Sequence, residues 1–418
     1  MNQMIRSIGL DVHPTTVYVT ILSPSEDRLD HYEFPMEPHA LEAFLASLQP
    51  GDRVALEATG TTYYLYRRLK EVVDDVVVAN PNKLRKLLGG SHKTDRNDSG
   101  GLAYLAYIGG LPTVWMPDEK IQQSREFLQY RAGLVREETR YKNKVRALLS
   151  KHSQKCPASD LQSQDAQLFL TKIMVSLPWT SREKLALLLE QMKAVDESLK
   201  RADDIVETLA AAQPETELLA TVPGIDSLLA LTILACVGDI DRFPTPDSLA
   251  NYAGMVPSVY SSSSKKRHGR ITKRGNRMLR WAVTQAVQSL RKVPGPFRNL
   301  YRRLSRGGKH GRAVVACGRK LLVVLWHMLN SGEAFRGADT TKTERKEGRR
   351  KSRQSKAKVR LSGSRARHQQ ALVGNLAILR ELALRKESST PIPDQLRPYY
   401  RTNHASRLFQ LRTEKPTA

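Results

Sequence analysis

Four acidic residues in the N-terminal quarter of the chain have types and spacings that suit metal-dependent chemistry. Asp11 lies within an apolar, strand-like segment, and Glu57 lies at the end of another. Asp95 and Asp98 are three residues apart, so on a helix both carboxylates project to one side. An all-oxygen site of this kind suits Mg²⁺ or Mn²⁺ rather than zinc. Two such ions can clamp a scissile phosphate, although each acid taken singly fits a strand end or a helix cap equally well.

A second group of residues could supply a nucleophile. Four serines at 261–264 precede eight basic residues between 265 and 280. A serine hydroxyl attacks only when a base takes its proton and nearby groups stabilise the developing charge, and a basic cluster can do the latter for phosphoryl transfer. From the residue types alone, a basic loop that only grips a nucleic-acid backbone is the favoured interpretation. The basic residues are Lys265, Lys266, Arg267, Arg270, Lys273, Arg274, Arg277 and Arg280.

Charge is distributed unevenly along the 418 residues, which carry a formal net charge of +25. Residues 1–247 carry −6, whereas residues 248–332 carry +18 and contain no Asp or Glu. Residues 336–418 carry a further +14. Such a field attracts polyanions, and nucleic acid is the obvious partner. A merely solvated basic face is the alternative.

Other classes of protein are disfavoured by the composition. The three cysteines lie far apart, which excludes a disulfide scaffold and a Cys-x-x-Cys metal knuckle. No secretory signal is visible, and no apolar run approaches the ~18–20 residues of a membrane span. We therefore expect a cytoplasmic protein, associated with a bacterial nucleoid.

The elements that would position these residues form four sections. Residues 1–112 alternate strands with helices, in the order three strands, helix, strand, helix, strand, helix, which predicts an α/β domain. In residues 113–215, two long amphipathic helices over 119–152 and 182–212 predict an antiparallel coiled-coil arm. The arm is compatible with a plain linker and with dimerisation.

The C-terminal half has a compact section and a tail. Residues 216–335 are expected to be mostly helical, and 221–226 is the turn of a helix-hairpin-helix, whose amides can bind a phosphate. Asp226 replaces a usual turn glycine and weakens that binding, so a plain packing hairpin is equally compatible. The basic tail, 336–418, begins with a run to about residue 364 that is expected to be disordered in isolation, before a helical pattern at 367–385.

The acidic segments resemble the RuvC-like (RNase H-like) domain of the transposase family of insertion sequence one hundred and ten, which includes the Piv and MooV DNA invertases. The resemblance continues at 254–257, 269–275 and 279–280, and covers roughly residues 1–330. The acidic segments are Gly9-Leu10-Asp11-Val12-His13, Leu56-Glu57-Ala58-Thr59-Gly60 and Lys93-Thr94-Asp95-Arg96-Asn97-Asp98.

The resemblance implies specific roles for residues and partners. Asp11, Glu57, Asp95 and Asp98 match the family's four metal-binding acids, and the family's serine nucleophile falls on Ser262. Serines stand at 263 and 264 where the family has glycines, so the alignment can shift by one position. Ser261 and Ser263 therefore remain alternative positions for the nucleophile. The implied protein is a homo-oligomeric DNA transposase or recombinase, a dimer or tetramer. It excises and inserts an insertion sequence through a phosphoserine intermediate, with a structured guide (bridge) RNA that pairs with donor and target DNA.

Two other functions remain open at this point. One is a RuvC-like, metal-dependent nuclease or junction resolvase in which water attacks the phosphate. The other is a non-enzymatic nucleic-acid-binding protein whose acids are structural. Absence of a Gly-x-x-x-x-Gly-Lys-Ser/Thr loop agrees with a reaction that needs no ATP.

Overall fold

The computed structural model describes residues 6–23, 28–88, 94–262, 265–271, 274–337 and 343–364. The chain divides into two compact units, residues 1–118 and 119–418, which we call unit 1 and unit 2. The boundary lies beyond the expected 112, because a short strand, Thr113–Val114, pairs with the sheet of unit 1.

Unit 1 contains a six-stranded sheet in the order β3-β2-β1-β4-β5-β6. The first three strands are antiparallel neighbours, whereas β1, β4 and β5 run parallel. This confirms the expected α/β layout, with its hairpin-rich beginning. The strands are β1 Ser7–Val12, β2 Thr16–Ser23, β3 Arg28–Pro35, β4 Arg53–Glu57, β5 Asp75–Ala79 and β6 Thr113–Val114.

Helices cover both faces of this sheet because the strands alternate their side chains. Ile8 and Leu10 of β1 pack in a core with residues of α1 and α2. On the other face, Ala55 and Ala79 pack with residues of α3 and α4, such as Leu102. The helices are α1 Pro38–Ala46, α2 Thr62–Lys70, α3 Pro81–Leu88 and α4 Asp95–Tyr107.

Unit 2 begins with the two expected long helices, α5 Glu119–Lys151 and α7 Trp179–Ala211. They run antiparallel: Arg131 of α5 pairs with Asp203 near the end of α7 at 2.6 Å. An additional helix, α6 Gln164–Ser176, lies between them in the chain and starts at the cap residue Ser163. It was not predicted, since only the polar stretch before it stood out in the sequence.

The remainder of unit 2 is mostly helical, as expected. Helix α13 is long and apolar enough to cross a membrane by length and composition, a possibility that the sequence analysis had discounted. In unit 2, its residues Cys317, Leu321 and Leu325 are fully buried in the core. The helices are α8 Glu215–Ala220, α9 Ser227–Val237, α10 Pro246–Tyr252, α11 Arg277–Leu290, α12 Pro296–Ser305 and α13 His310–Ser331.

Two segments of unit 2 differ from expectation. The basic serine segment, expected as a loop, forms a two-stranded antiparallel hairpin of β7 Pro257–Ser262 and β8 Lys265–Ile271. Its repeated serines and basic residues show no apolar alternation, so the pattern did not predict strands.

The first part of the tail forms a helix, which we call α14 (343–364), where a run without structure of its own was expected. Arg350, only 3% exposed, pairs with Glu217 at 2.7 Å, and Arg360 pairs with Asp204. Acidic partners elsewhere in unit 2 therefore stabilise a helix whose composition alone would leave it unfolded. The helix expected at 367–385 lies outside the described residues.

Candidate active site

Two of the acidic residues lie at the same end of adjacent parallel strands. Leu10 of β1 is in register with Leu56 of β4, so Asp11 and Glu57 follow side by side. Because Leu10 and Leu56 point into the core shared with α1 and α2, strand alternation turns Asp11 and Glu57 to the opposite face. That is the face that α4 covers.

A glycine brings α4 close enough to meet these strand ends. A Cβ atom at Gly9 would lie 2.0 Å from the backbone oxygen of Ser99 and 2.6 Å from the amide nitrogen of Ala103. The Ser7 hydroxyl donates to the Ala103 carbonyl at 2.7 Å, and the hydroxyls of Thr20 and Ser99 are hydrogen-bonded at 2.8 Å. These small residues fix α4 against β1 and β2, with its first turn beside Asp11.

The other two acids lie in that first turn. Thr94 caps the helix by accepting a hydrogen bond from the Asn97 amide at 3.2 Å, and Asp95 and Asp98 follow it. The positive end of the helix dipole favours carboxylates at these positions. Asp95 and Asp98 therefore lie on one side of a helix, as their three-residue spacing predicted.

His13 lies between the strand and the helix of the acidic site. Its Nε2 atom is 3.3 Å from Oδ2 of Asp11 and 3.4 Å from Oδ1 of Asp95. One ligand atom from each of these three side chains lies within 4.8 Å of the others. The sequence analysis did not select His13, although its position two residues after Asp11 could have indicated a shared face.

The electrostatics of Asp11 reflect burial first and neighbouring like charge second. Burial is the main cause that raises the pKa of Asp11, and the nearby Asp98 and Asp95 raise it further, whereas His13 opposes them. A carboxylate whose pKa is raised by burial and by neighbouring negative charge is held there at a cost, which a bound cation would remove. The oxygen donors therefore fit a divalent ion.

Tyr18 extends the site across the sheet and was also missed from the sequence. Tyr18 is on β2, where it pairs with Asp11 of β1 on one side and with Glu33 of β3 on the other. Its pKa is raised chiefly by a hydrogen bond with Glu33, and also by Asp95 and Asp11 nearby. Only the strand register shows that this hydroxyl-bearing residue borders the acids.

The proposed nucleophile lies in unit 2, at the tip of the serine hairpin. Ser262 and Lys265 form the last backbone pair of the ladder, followed inward by Ser261 with Lys266. The side chains of 258–270, which include Lys265, Lys266, Arg267 and Arg270, lie outside what the structure describes, as do Ser263, Ser264 and Lys273.

The base of the hairpin is fixed to the helical core. The Asn276 side chain caps α11 by accepting from the Leu279 amide at 2.9 Å, and the backbone N–H of Asn276 donates to the Tyr252 carbonyl at 2.7 Å. Arg280 donates to the carbonyl of Ala253 at 2.7 Å, which gives it a structural contact. Arg274 and Arg277 are exposed, as residues that bind a nucleic-acid backbone must be.

The turn between α8 and α9 lies elsewhere in unit 2. Gly224 adopts a φ of 91°, which disfavours other residues, and Asp226 caps α9 by accepting from the Leu229 amide at 3.0 Å. A carboxylate already occupies the helix N-terminus, so a phosphate would be repelled there. Lys346 of α14 donates to the carbonyls of Ala220 and Val222 at 2.6 and 3.0 Å, next to this turn.

Comparison with known proteins matches both halves of the chain to one kind of protein. Residues 8–153 match the family model described as a DEDD transposase of the IS110 type, and residues 216–302 match the transposase IS116/IS110/IS902 family. The transposase for insertion sequence element IS1111A of Coxiella burnetii is 27% identical over 298 residues, covering 70% of this chain and 81% of that protein.

Two further relatives agree. The putative transposase y4qE of Sinorhizobium fredii is 27% identical over 282 residues, covering 66% of this chain and 68% of its own. The IS110 uncharacterized 43.6 kDa protein of Streptomyces coelicolor is 30% identical over 149 residues, covering 35% and 37%. The first matched segment contains the acidic site, and the second contains the serine hairpin.

Proposed function

Because this chain is a DNA transposase of the IS110/IS116/IS902 family, we propose that it excises and inserts an insertion sequence through a covalent phosphoserine intermediate. The observation that supports the proposal is the arrangement of acids in unit 1: two follow adjacent strand ends, and two lie in the first turn of α4, which packs on β1 at Gly9.

The four acids, Asp11, Glu57, Asp95 and Asp98, are proposed to hold Mg²⁺ or Mn²⁺. A divalent ion bound there would polarise the scissile phosphate and neutralise charge on its oxygens. The protein's own part is to fix the carboxylates before DNA arrives. Gly9 and the Thr94 cap serve this purpose, since they set the position of α4 against β1.

Ser262 is proposed as the attacking group. Its oxygen forms a bond to phosphorus while the bond from phosphorus to the leaving DNA oxygen breaks; the hydroxyl proton is lost and the leaving oxygen gains one. One phosphodiester is exchanged for another, so the bond energy is conserved for rejoining. The surrounding Lys and Arg residues would bind the phosphate and stabilise the negative charge of the transition state.

The partners follow from the same reasoning. Donor and target DNA, together with a structured guide RNA, are proposed to bind the positive half of the chain, and base pairing with the guide would select the sequence. Because α5 and α7 form an antiparallel arm that suits dimerisation, we propose that the active form is a homo-oligomer, working in the bacterial cytoplasm on the nucleoid.

Trapping the intermediate tests this mechanism. A substrate nicked beside the cleavage point should stall the reaction and leave DNA joined to a serine among 261–264, located by mass spectrometry of the proteolysed complex. Ser258→Ala, on the same strand, is the matched control and should give the same adduct. Cleavage without any adduct, in a variant with all four serines replaced, would instead support the resolvase mechanism in which water attacks.

A further inference from the structure

His13 lies at the acidic site with its Nε2 nitrogen outside the geometry of a full hydrogen bond. The Nε2 atom is buried and has no partner that meets both the distance and the angle of a hydrogen bond in the described part of the chain, although the side chain as a whole is 43% exposed. It nevertheless lies 3.3 and 3.4 Å from carboxylate oxygens of Asp11 and Asp95. A charge-assisted hydrogen bond would bring these atoms to about 2.7–2.9 Å. The nitrogen is thus aimed at the carboxylates without being bonded to either.

The separations match those of atoms that share a metal ion. Two ligands at right angles on an ion with bonds of about 2.1 Å lie about 3 Å apart, and a wider angle increases that distance. One ligand atom each from Asp11, His13 and Asp95 falls within 4.8 Å of the others, which leaves room for one ion among them. The geometry suits three ligands better than two carboxylates with an ion-paired imidazole.

One contact fixes the backbone of His13, and another restricts its ring. The backbone amide of His13 donates to the Thr16 carbonyl at 2.9 Å and closes the turn from β1 to β2. The ring packs edge-on against Tyr18, with centroids 5.8 Å apart. A ring that is held before the ion arrives loses little freedom on binding.

We propose that His13 is a direct ligand of the metal ion at the acidic site, so that the site combines imidazole with carboxylates and prefers Mn²⁺ to Mg²⁺. The inference rests on the proposed function, because it assumes that the acids hold a divalent ion. Imidazole binds transition metals well and Mg²⁺ poorly, whereas carboxylates suit both Mg²⁺ and Mn²⁺. A nitrogen ligand therefore changes the selectivity of the site as well as its affinity.

Metal affinities of the full-length protein test this without reference to activity. Mn²⁺ and Mg²⁺ are titrated separately by calorimetry into wild type, His13→Ala, His13→Gln and the control His39→Ala, which replaces an exposed histidine of the same unit. We expect both His13 variants to lose at least about tenfold in Mn²⁺ affinity, with a much smaller change for Mg²⁺. The control should match wild type for both ions.

Pulsed electron paramagnetic resonance of bound Mn²⁺ gives a second readout. The wild-type spectrum should contain nitrogen modulation from a coordinated imidazole, and His13→Gln should lack it while keeping the wild-type circular dichroism. Equal losses for Mn²⁺ and Mg²⁺ in the variants, or nitrogen modulation that survives them, would overturn the ligand role and leave His13 a positioning residue.

The same titrations separate this inference from the proposed function. If wild type binds Mn²⁺ and Asp11→Asn does not, but no nitrogen modulation is seen, the acidic metal site stands and His13 is not a ligand. If wild type binds neither ion, both the metal site and the role of His13 are rejected.

Discussion

The acidic site of unit 1 and the serine hairpin of unit 2 are built in opposite ways. The acids are held by a six-stranded sheet and by a helix that packs at backbone distance on Gly9. The serine hairpin has only two strands, with a firmly held base at Asn276. The acids are thus positioned by a sheet and a packed helix, whereas Ser261 and Ser262 lie on a ladder of two strands.

The two regions also differ in the sign of their charge and in the ligand that would neutralise it. Burial raises the pKa of Asp11 most, and the nearby charges of Asp98 and Asp95 raise it further. A bound cation would offset this negative charge. The basic hairpin segment is suited to a polyanion. Its affinity for nucleic acid would depend on the number of positive charges rather than on their exact placement. Losing a single acid should therefore matter far more than losing a single base.

The largest effect is expected at the tip of the hairpin. Ser262→Ala should reduce DNA cleavage to the background level, because it removes the proposed attacking oxygen. Binding of DNA and RNA should stay within about twofold, since a neutral hydroxyl contributes little to a grip made by charge. Cleavage and gel-shift assays on the same preparation measure both. Full activity in this variant, with an adduct at Ser261 or Ser263, would correct the register of the nucleophile.

Replacing any one acid should come next. Asp11→Asn, Glu57→Gln, Asp95→Asn and Asp98→Asn should each lower recombination by at least about a hundredfold, because even residues that only support metal ligands cost 10- to 100-fold. Asp30→Asn, on β3 and ion-paired with Arg28, is the control and should recombine normally. An acid whose variant recombines at the wild-type rate in millimolar Mg²⁺ is not a ligand.

Removal of exposed bases should have a smaller, salt-dependent effect. Arg274→Ala and Arg277→Ala should each weaken nucleic-acid binding, and each should reduce the slope of log K against log salt by about 0.7–0.9. Arg280→Ala provides the contrast, because its guanidinium already donates to Ala253 and its loss should lower stability rather than the salt slope. Identical slopes in wild type and the first two variants would show that neither residue meets a phosphate.

The smallest effects concern the stability of the fold. They distinguish a carboxylate of unit 1 that is paired with an arginine from one at the acidic site. Asp52 is fully buried and accepts hydrogen bonds from Arg6 at 2.6 and 3.0 Å, so Asp52→Asn should cost about 3–5 kcal/mol. Asp11→Asn should instead raise the melting temperature by about 2–4 °C in EDTA, because it removes a partly buried charge and its repulsion from Asp95 and Asp98. Thermal unfolding measures both. A destabilised Asp11→Asn would mean that its carboxylate is structural.

The sequence by itself determined much of the framework. The strand and helix order of unit 1 and the long helices α5 and α7 followed from apolar periodicity, which local burial enforces. The placement of Asp95 and Asp98 on one side of a helix followed from their three-residue spacing. These features depend on residues near one another in the chain, so the pattern was sufficient to predict them.

Tertiary structure alone decided what lies beside those elements. His13 and Tyr18 join the acidic site through the turn and register of β1 and β2, and α4 reaches it only because Gly9 has no side chain. Helix α14 contacts the rest of unit 2 through Arg350 and Arg360, whose partners Glu217 and Asp204 lie more than a hundred residues away in the chain. The identity of a distant partner leaves no periodic mark in the sequence, and for that reason these contacts could be found only in the folded chain.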